Sequence, residues 1–363
     1  MYVEGRVICA LSGGVDSAVA AWRLLEAGCE VECLHMTNWE DDGYCDASRE
    51  FQDARAIADR LGVKLHRVNF SREYYRDVFE DFLLSHRRGE TPNPDVLCNR
   101  YIKFGVMLRY AQRLGGATLA TGHYAQVERD AGTVHLKRAA DQAKDQTYFL
   151  HSVLTESFQT VQFPLGDLEK PVVRQMARSA GLPVAEKRDS TGICFIGERP
   201  FAQFLAEFIE DQPGPIVDEH GNRLGEHRGL AFYTLGQRQG LEIGGLSGLP
   251  ASPWYVAAKL VASNELVVVQ GHDHPLLFQD RVIAEAPNWI GAPPVGLADG
   301  HWVQATARSR YRQPDSPCRI RQAAENRIEA HFDTPQRAVT PGQFLVVYQQ
   351  ERCLGGGLIR AAT

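Results

Sequence analysis

The chain has 363 residues, 44% apolar and 23% charged, with a formal net charge of −6. That length predicts two or three domains, and the acidic balance excludes a protein held to nucleic acid by bulk charge alone, although basic residues cluster at Arg87–Arg88, at Arg308, Arg310 and Arg312, and at Arg319 and Arg321. No apolar run approaches the roughly 18–20 residues that cross a bilayer, and Met1–Arg6 shows no secretory pattern, so a cytoplasmic protein without membrane contact is expected.

In chain order, Val7–Leu11 reads as a buried strand and Asp16–Ala27 as a helix stopped by Gly28. Val31–Met36 is the second strand, Ala47–Leu61 a helix and Val63–Asn69 the third strand. Glu73–His86 and Lys103–Leu114 follow as helices, and Ala117–Thr121 as the fourth strand. This alternation predicts parallel βαβ units with helices on both sheet faces. Thr91–Pro92–Asn93–Pro94–Asp95 interrupts it as a stiff turn. Val127–Arg138 reads as a hairpin; Asp145–Leu154, Lys170–Ala180 and Phe201–Ile209 read as helices. Beyond Asp211 the chain becomes rich in Gly and Pro, with strands such as Trp254–Lys259, Leu266–Gln270, Trp302–Ala307, Arg327–Phe332 and Phe344–Gln349. That texture predicts a small β-domain and then a barrel on the scale of six strands.

Eight cysteines are scattered without a CxxC pair, which argues against a zinc site or a secreted disulfide framework. Ser12–Gly13–Gly14–Val15–Asp16–Ser17 follows a strand and opens a helix, the place where a parallel sheet presents a ligand. The glycines let the backbone approach a phosphate, the helix N-terminus offers free N–H groups, the serines add donors, and Asp16 can hold Mg²⁺ or cap the helix. No Gly–Lys–Ser/Thr sequence occurs, so this is not a Walker loop. Two further loops carry cysteines, Cys98 just after the proline turn and Cys194 within Asp189–Gly197. Two loop cysteines beside a nucleotide site suggest sulfur chemistry, because a helix N-terminus favours the thiolate.

Leu11–Ser17 resembles the PP-loop of the ATP pyrophosphatases, which split ATP between its α- and β-phosphates to make an adenylate. Together with Gly43–Cys45, Thr91–Asn99, Ala120–Tyr124, Lys144–Phe149, Asp189–Gly197, Tyr233–Arg238 and Pro341–Gln343, it resembles the tRNA-specific 2-thiouridylase family over nearly the full length. The fold this implies is α/β: a parallel-sheet PP-loop domain, adenine nucleotide alpha hydrolase-like, over residues 1–208, a small β-rich central domain over 209–276, and a C-terminal β-barrel over 277–363 that holds tRNA.

The resemblance implies that the wobble uridine O2 is adenylated with ATP and Mg²⁺ and replaced by persulfide sulfur. Ala10, Leu11, Ser12, Gly13, Gly14, Val15, Asp16, Ser17, Met36 and Gly122 would bind ATP. Asn93, Pro94 and Asp95 would seat the target base, with Asp95 a candidate general base. Cys194 would carry the persulfide, and Cys98 would release its sulfur and end in a Cys98–Cys194 disulfide. His123, Lys144, Asp145, Gln146, Arg310, Tyr311 and Gln343 would contact tRNA. No resident metal is expected. The implied partners are the tRNAs for Lys, Glu and Gln, and a sulfur donor, either a cysteine desulfurase or a relay protein. Ala10 stands where the family usually has Gly, and a small residue is kept. Two other readings remain open from the residues: a different PP-loop amidotransferase or ligase, which would not need either cysteine, and a non-catalytic tRNA-binding redox module, which would not turn ATP into AMP.

Overall fold

The computed structural model describes residues 5–39, 47–130, 132–189, 199–243 and 252–363. Val7–Ala10 (β1), Val31–Thr37 (β2), Leu65–Asn69 (β3), Thr118–Ala120 (β4) and Val161–Gln162 (β7) form one parallel sheet in the order β3-β2-β1-β4-β7. Side chains of β1 alternate between two cores, as the two-residue period of a strand requires. Val7 and Cys9 pack on one face with Val19, Leu24 and Ile57, and Ile8 packs on the other with Phe79, Ile102 and Phe104. Each such side chain, wholly removed from water, contributes about 1.5–3 kcal/mol.

Val15–Glu26 (α1) is rich in alanine, starts at Gly14 in extended geometry and ends where Gly28 turns left-handed, with φ at +79°. Ala47–Leu61 (α2) covers the same face. The other face is covered by two helices longer than the sequence pattern suggested, spanning 71–87 and 94–113. Each contains a wide π-helical stretch, Tyr75–Phe79 and Cys98–Met107. The second helix begins at the proline turn because Pro94 suits a first helical position. The expected helix Asp145–Leu154 shrinks to Thr147–Leu150. The reason is local: the Asp145 carboxylate takes the N–H of Ala139 and the hydroxyl of Thr147, which bends the chain into turns on either side.

Gln126–Asp130 (β5) and Thr133–Lys137 (β6) form the expected hairpin. Gly214–Val217 (β8), Arg223–His227 (β9), Trp254–Leu260 (β10) and Glu265–Gln270 (β11) form a four-stranded sheet in the order β10-β11-β8-β9. Phe278–Trp289 (β12), Val303–Arg308 (β13), Ser316–Ala324 (β14), Arg327–Arg337 (β15), Phe344–Gln349 (β16) and Arg352–Ala362 (β17) close into a six-stranded barrel. Closure comes from the pairing of β12 with both β15 and β17. The β5–β6 hairpin is drawn onto this barrel: Arg352 and Cys353 of β17 pair with Lys137 and Leu136 of β6. No helix among the described residues is long and apolar enough to cross a membrane.

Candidate active site

β2 and β3 lie on one side of β1 while β4 lies on the other, so the strand order reverses between β1 and β4. Ligands bind parallel sheets at the carboxyl end of such a switch point. The segment Leu11–Ser17 leaves β1 there, and Thr121–Gly122–His123 leaves β4 beside it. The two are in backbone contact, since a Cβ on Gly122 would stand 2.7 Å from the Ser17 nitrogen and 2.8 Å from the Asp16 carbonyl carbon. Gly13 has φ at +83°, and a Cβ there would meet the Glu50 carbonyl oxygen at 2.4 Å. Both glycines are therefore required by close backbone approach.

Within the loop, the Ser12 N–H donates to Ser17 Oγ (3.2 Å), and the Ser17 hydroxyl donates to the Gly14 carbonyl (3.0 Å). Leu11 and Val15 turn their side chains into the core, leaving their backbone for the loop. The N-cap residue Gly14 supplies no side-chain hydrogen bond, and the Ala18 N–H bonds back to the Gly14 carbonyl. The first-turn amides of α1 ahead of Ala18 are thus not capped by Gly14, which suits an anion. Met36 is half-buried near the end of β2, packed on the core below the loop.

Asp16 does not cap the helix. Both its oxygens accept from Lys170 Nζ, at 2.7 and 2.8 Å, and Tyr124 donates its hydroxyl to it at 2.9 Å. Lys170 also pairs with Asp189 at 2.8 Å, and Asp189 takes Lys144 at 2.9 Å and Arg174 at 2.7 Å. Burial works against charge on Asp189, but the hydrogen bonds from Lys170 and Lys144 prevail and hold its pKa down, to about 2. Lys187 reaches the Gly13 carbonyl at 3.1 Å and Asp53 at 2.6 Å. Lys170 and Lys187 were missed by motif reading, because lone lysines far along the chain carry no spacing signal. Among the described residues no group of three His, Cys, Asp or Glu side chains is placed to hold a metal ion.

Asn93 precedes the helix 94–113, Pro94 is its first residue and Asp95 its second. Burial raises the Asp95 pKa, against the opposing charge of Lys103. Cys98 lies in the second turn, not the first, and is buried, so the helix N-terminus acts on it less directly than the sequence suggested. Lys103 also acts electrostatically on His123, which brings the proline turn and the β4 loop into one neighbourhood. Cys194 and the expected disulfide to Cys98 lie outside the described residues, as do Gly43–Cys45.

The turn is clamped by the other two parts of the chain. Thr91 donates its N–H to the Pro341 carbonyl at 2.9 Å, and Gln343 Nε2 donates to the Thr91 carbonyl at 2.8 Å. The Thr91 and Thr234 hydroxyls lie 3.3 Å apart. Arg310 donates to the Leu235 carbonyl (2.8 Å) and the Thr340 hydroxyl (2.5 Å). Tyr311 packs on Phe149 at 4.3 Å between ring centres, and the Phe149 carbonyl accepts from Asn99 beside Cys98.

Five of the expected tRNA contacts thus also serve internal structure, and two of those side chains are closed off. His123 is buried between Phe104 and Phe163 and bonded to the Thr121 hydroxyl; burial pushes its pKa well below the usual value, so it is uncharged. Asp145 is buried and bound to Arg138, Ala139 and Thr147. Neither side chain can meet a phosphate in this arrangement. Gln146 exchanges hydrogen bonds with the Tyr124 backbone, and Arg310 and Gln343 are engaged as described. Lys144 and Tyr311 keep part of their surface exposed.

A family profile described as "tRNA methyl transferase HUP domain" matches residues 5–198. Profiles described as "tRNA methyl transferase PRC-barrel domain" and "Aminomethyltransferase beta-barrel domain" match residues 202–270 and 279–359. The chain is 52% identical to the "tRNA-specific 2-thiouridylase MnmA" of Alcanivorax borkumensis over 98% of this chain and 97% of that protein. It is 51% identical to the protein of that name from Chromohalobacter salexigens, over 98% and 92% of the two chains. A third, from Methylobacillus flagellatus, is 51% identical over 99% and 100%.

Proposed function

The chain belongs to the tRNA-specific 2-thiouridylase family, and on that premise we propose how its residues divide the replacement of the wobble uridine O2 by sulfur. The observation that carries the reading is similarity at about half identity across both whole chains. It is an ATP-dependent sulfurtransferase acting on tRNA. ATP lies against Ala10–Ser17, Met36 and Gly122, with Mg²⁺ on its phosphates. The uncapped start of α1 and the ammonium groups around Asp16 and Asp189 suit that polyanion.

The uridine, turned out of its stack, sits at Asn93–Pro94–Asp95. Asp95 takes the N3 proton as O2 attacks the α-phosphate, and pyrophosphate leaves. Cys194 carries the persulfide. The Cys98 thiolate attacks Sγ of Cys194, the persulfide S–S bond breaks, and the terminal sulfur adds to C2. AMP departs with the former O2 oxygen, and Cys98 and Cys194 remain as a disulfide for an external reductant to reopen. Lys144 and Tyr311 are the best-placed tRNA contacts, a charge and an aromatic platform suited to an unpaired loop. Residues 1–208 do the chemistry, 209–276 and 277–363 hold the RNA, and the substrates are the tRNAs for Lys, Glu and Gln. Sulfur comes from a cysteine desulfurase or a relay protein, and the work is done in the cytoplasm.

The test is a single incubation of the protein with ATP, Mg²⁺, a sulfide source and tRNA bearing an unmodified wobble uridine. AMP, pyrophosphate and 2-thiouridine should appear together. Bound tRNA with no 2-thiouridine would overturn the reading.

A further inference from the structure

We propose that Lys170 is a phosphate ligand of the nucleotide site and receives the pyrophosphate half of ATP, an inference that rests on the ATP reading above. Lys170 opens the helix Lys170–Ser179, where its N–H donates to Asp141 at 2.9 Å, so its backbone is fixed while its side chain reaches out. The side chain is largely buried, 11% exposed, and ends between Asp16 of the nucleotide loop and Asp189. An aspartate in the first turn of α1 would repel an incoming triphosphate. Lys170 cancels that charge in the nucleotide-free chain, with all three N–H donors spent on the two carboxylates.

Its partners can release it. Asp189 keeps Lys144 and Arg174 if Lys170 leaves, and Asp16 keeps the Tyr124 hydroxyl and can take the Mg²⁺ that enters with the nucleotide. Exchanging a carboxylate oxygen for a phosphate oxygen conserves the ammonium's charge pairing, and the four-carbon stem permits the swing. The adenylate half stays with the loop amides, Met36 and Gly122. Lys170 therefore separates the two products: it meets pyrophosphate and does not meet AMP.

The experiment is calorimetric titration of the full chain with magnesium pyrophosphate and, separately, with AMP. Lys170→Met should weaken pyrophosphate by about tenfold or more, as expected for loss of a charge-assisted contact, and leave AMP within about twofold. Lys170→Arg should retain pyrophosphate binding. Lys170→Gln should reproduce the split if the Met variant does not fold. The double variant Asp16→Asn/Lys170→Met separates contact from simple neutralisation: a persistent pyrophosphate loss supports contact, and recovery overturns it. Equal weakening of both ligands, or of neither, also overturns the proposal. If the unaltered protein binds neither ligand, the ATP reading itself falls.

Discussion

Asp95 sits where burial and a nearby ammonium oppose one another, and burial prevails, so its pKa is raised. A raised pKa makes a carboxylate a better base, and it carries a stability consequence with a definite sign. The folded state prefers the protonated form, so Asp95 costs stability at neutral pH and ceases to do so below its unfolded pKa of about 4. Asp95→Asn should therefore raise Tm at pH 7, by a margin that shrinks towards pH 3. The same change should cut thiolation about 10²–10⁴-fold and remove the acidic limb of the kcat/KM profile, as loss of a general base does. Cys98→Ser should abolish 2-thiouridine formation while AMP binding, followed by titration, stays within about twofold, because sulfur release needs a thiolate and nucleotide binding does not. Asp95 and Cys98 were singled out in the sequence because each lies inside a short, dense motif. Lys170 and Lys187 were not, since a lysine acquires meaning only from the carboxylate it meets in space, and Asp16, 154 residues from Lys170, gives no such sign. His123 and Asp145 show the converse: a polar residue inside a motif gives no sign of how deeply it is buried.

Elements place those residues by close backbone approach. The loop after β4 touches the first turn of α1 at Gly122, where a Cβ would press on main-chain atoms that have no flexible end to move. Gly122→Ala should displace the nucleotide loop, costing about 1–3 kcal/mol of stability as overpacking does and weakening ATP more than tRNA. Parallel denaturation and ligand titration would show both effects. The parallel sheet was readable from strand–helix alternation, and β1, β2 and β4 fall where hydrophobic runs placed them. The two-residue β7 was not, because two residues carry no period. The π-helical stretch that opens at Cys98 was equally hidden, since a wider turn leaves the apolar spacing close to that of an ordinary helix. It follows the proline turn directly, so the cysteine and Pro94–Asp95 share one helical element.

At the scale of the whole molecule, the three sheets are tied by contacts between residues hundreds of positions apart. Arg138 and Asp145 from the first part are almost wholly buried and pair with each other, and Arg138 also meets Asp315 and Tyr348 of the barrel. Burial raises the Asp145 pKa despite the adjacent guanidinium. Asp145→Ala should cost about 1–3 kcal/mol, because the Ala139 N–H and the Thr147 hydroxyl lose their buried acceptor while Arg138 keeps Asp315, as chemical denaturation would measure. The barrel was expected from its texture of short strands, whereas its borrowing of β5–β6 had no local signature, since strand partners are chosen by geometry and not by spacing. That borrowing sets an order on synthesis. The edge of β6 that waits for β17 leaves the ribosome long before its partner, since Leu136 and Lys137 pair with Cys353 and Arg352. At about 5–20 residues per second the gap between them lasts tens of seconds. During that time a nascent chain displays an unpaired strand edge, and its safety in the cell depends on how that edge is shielded until β17 arrives.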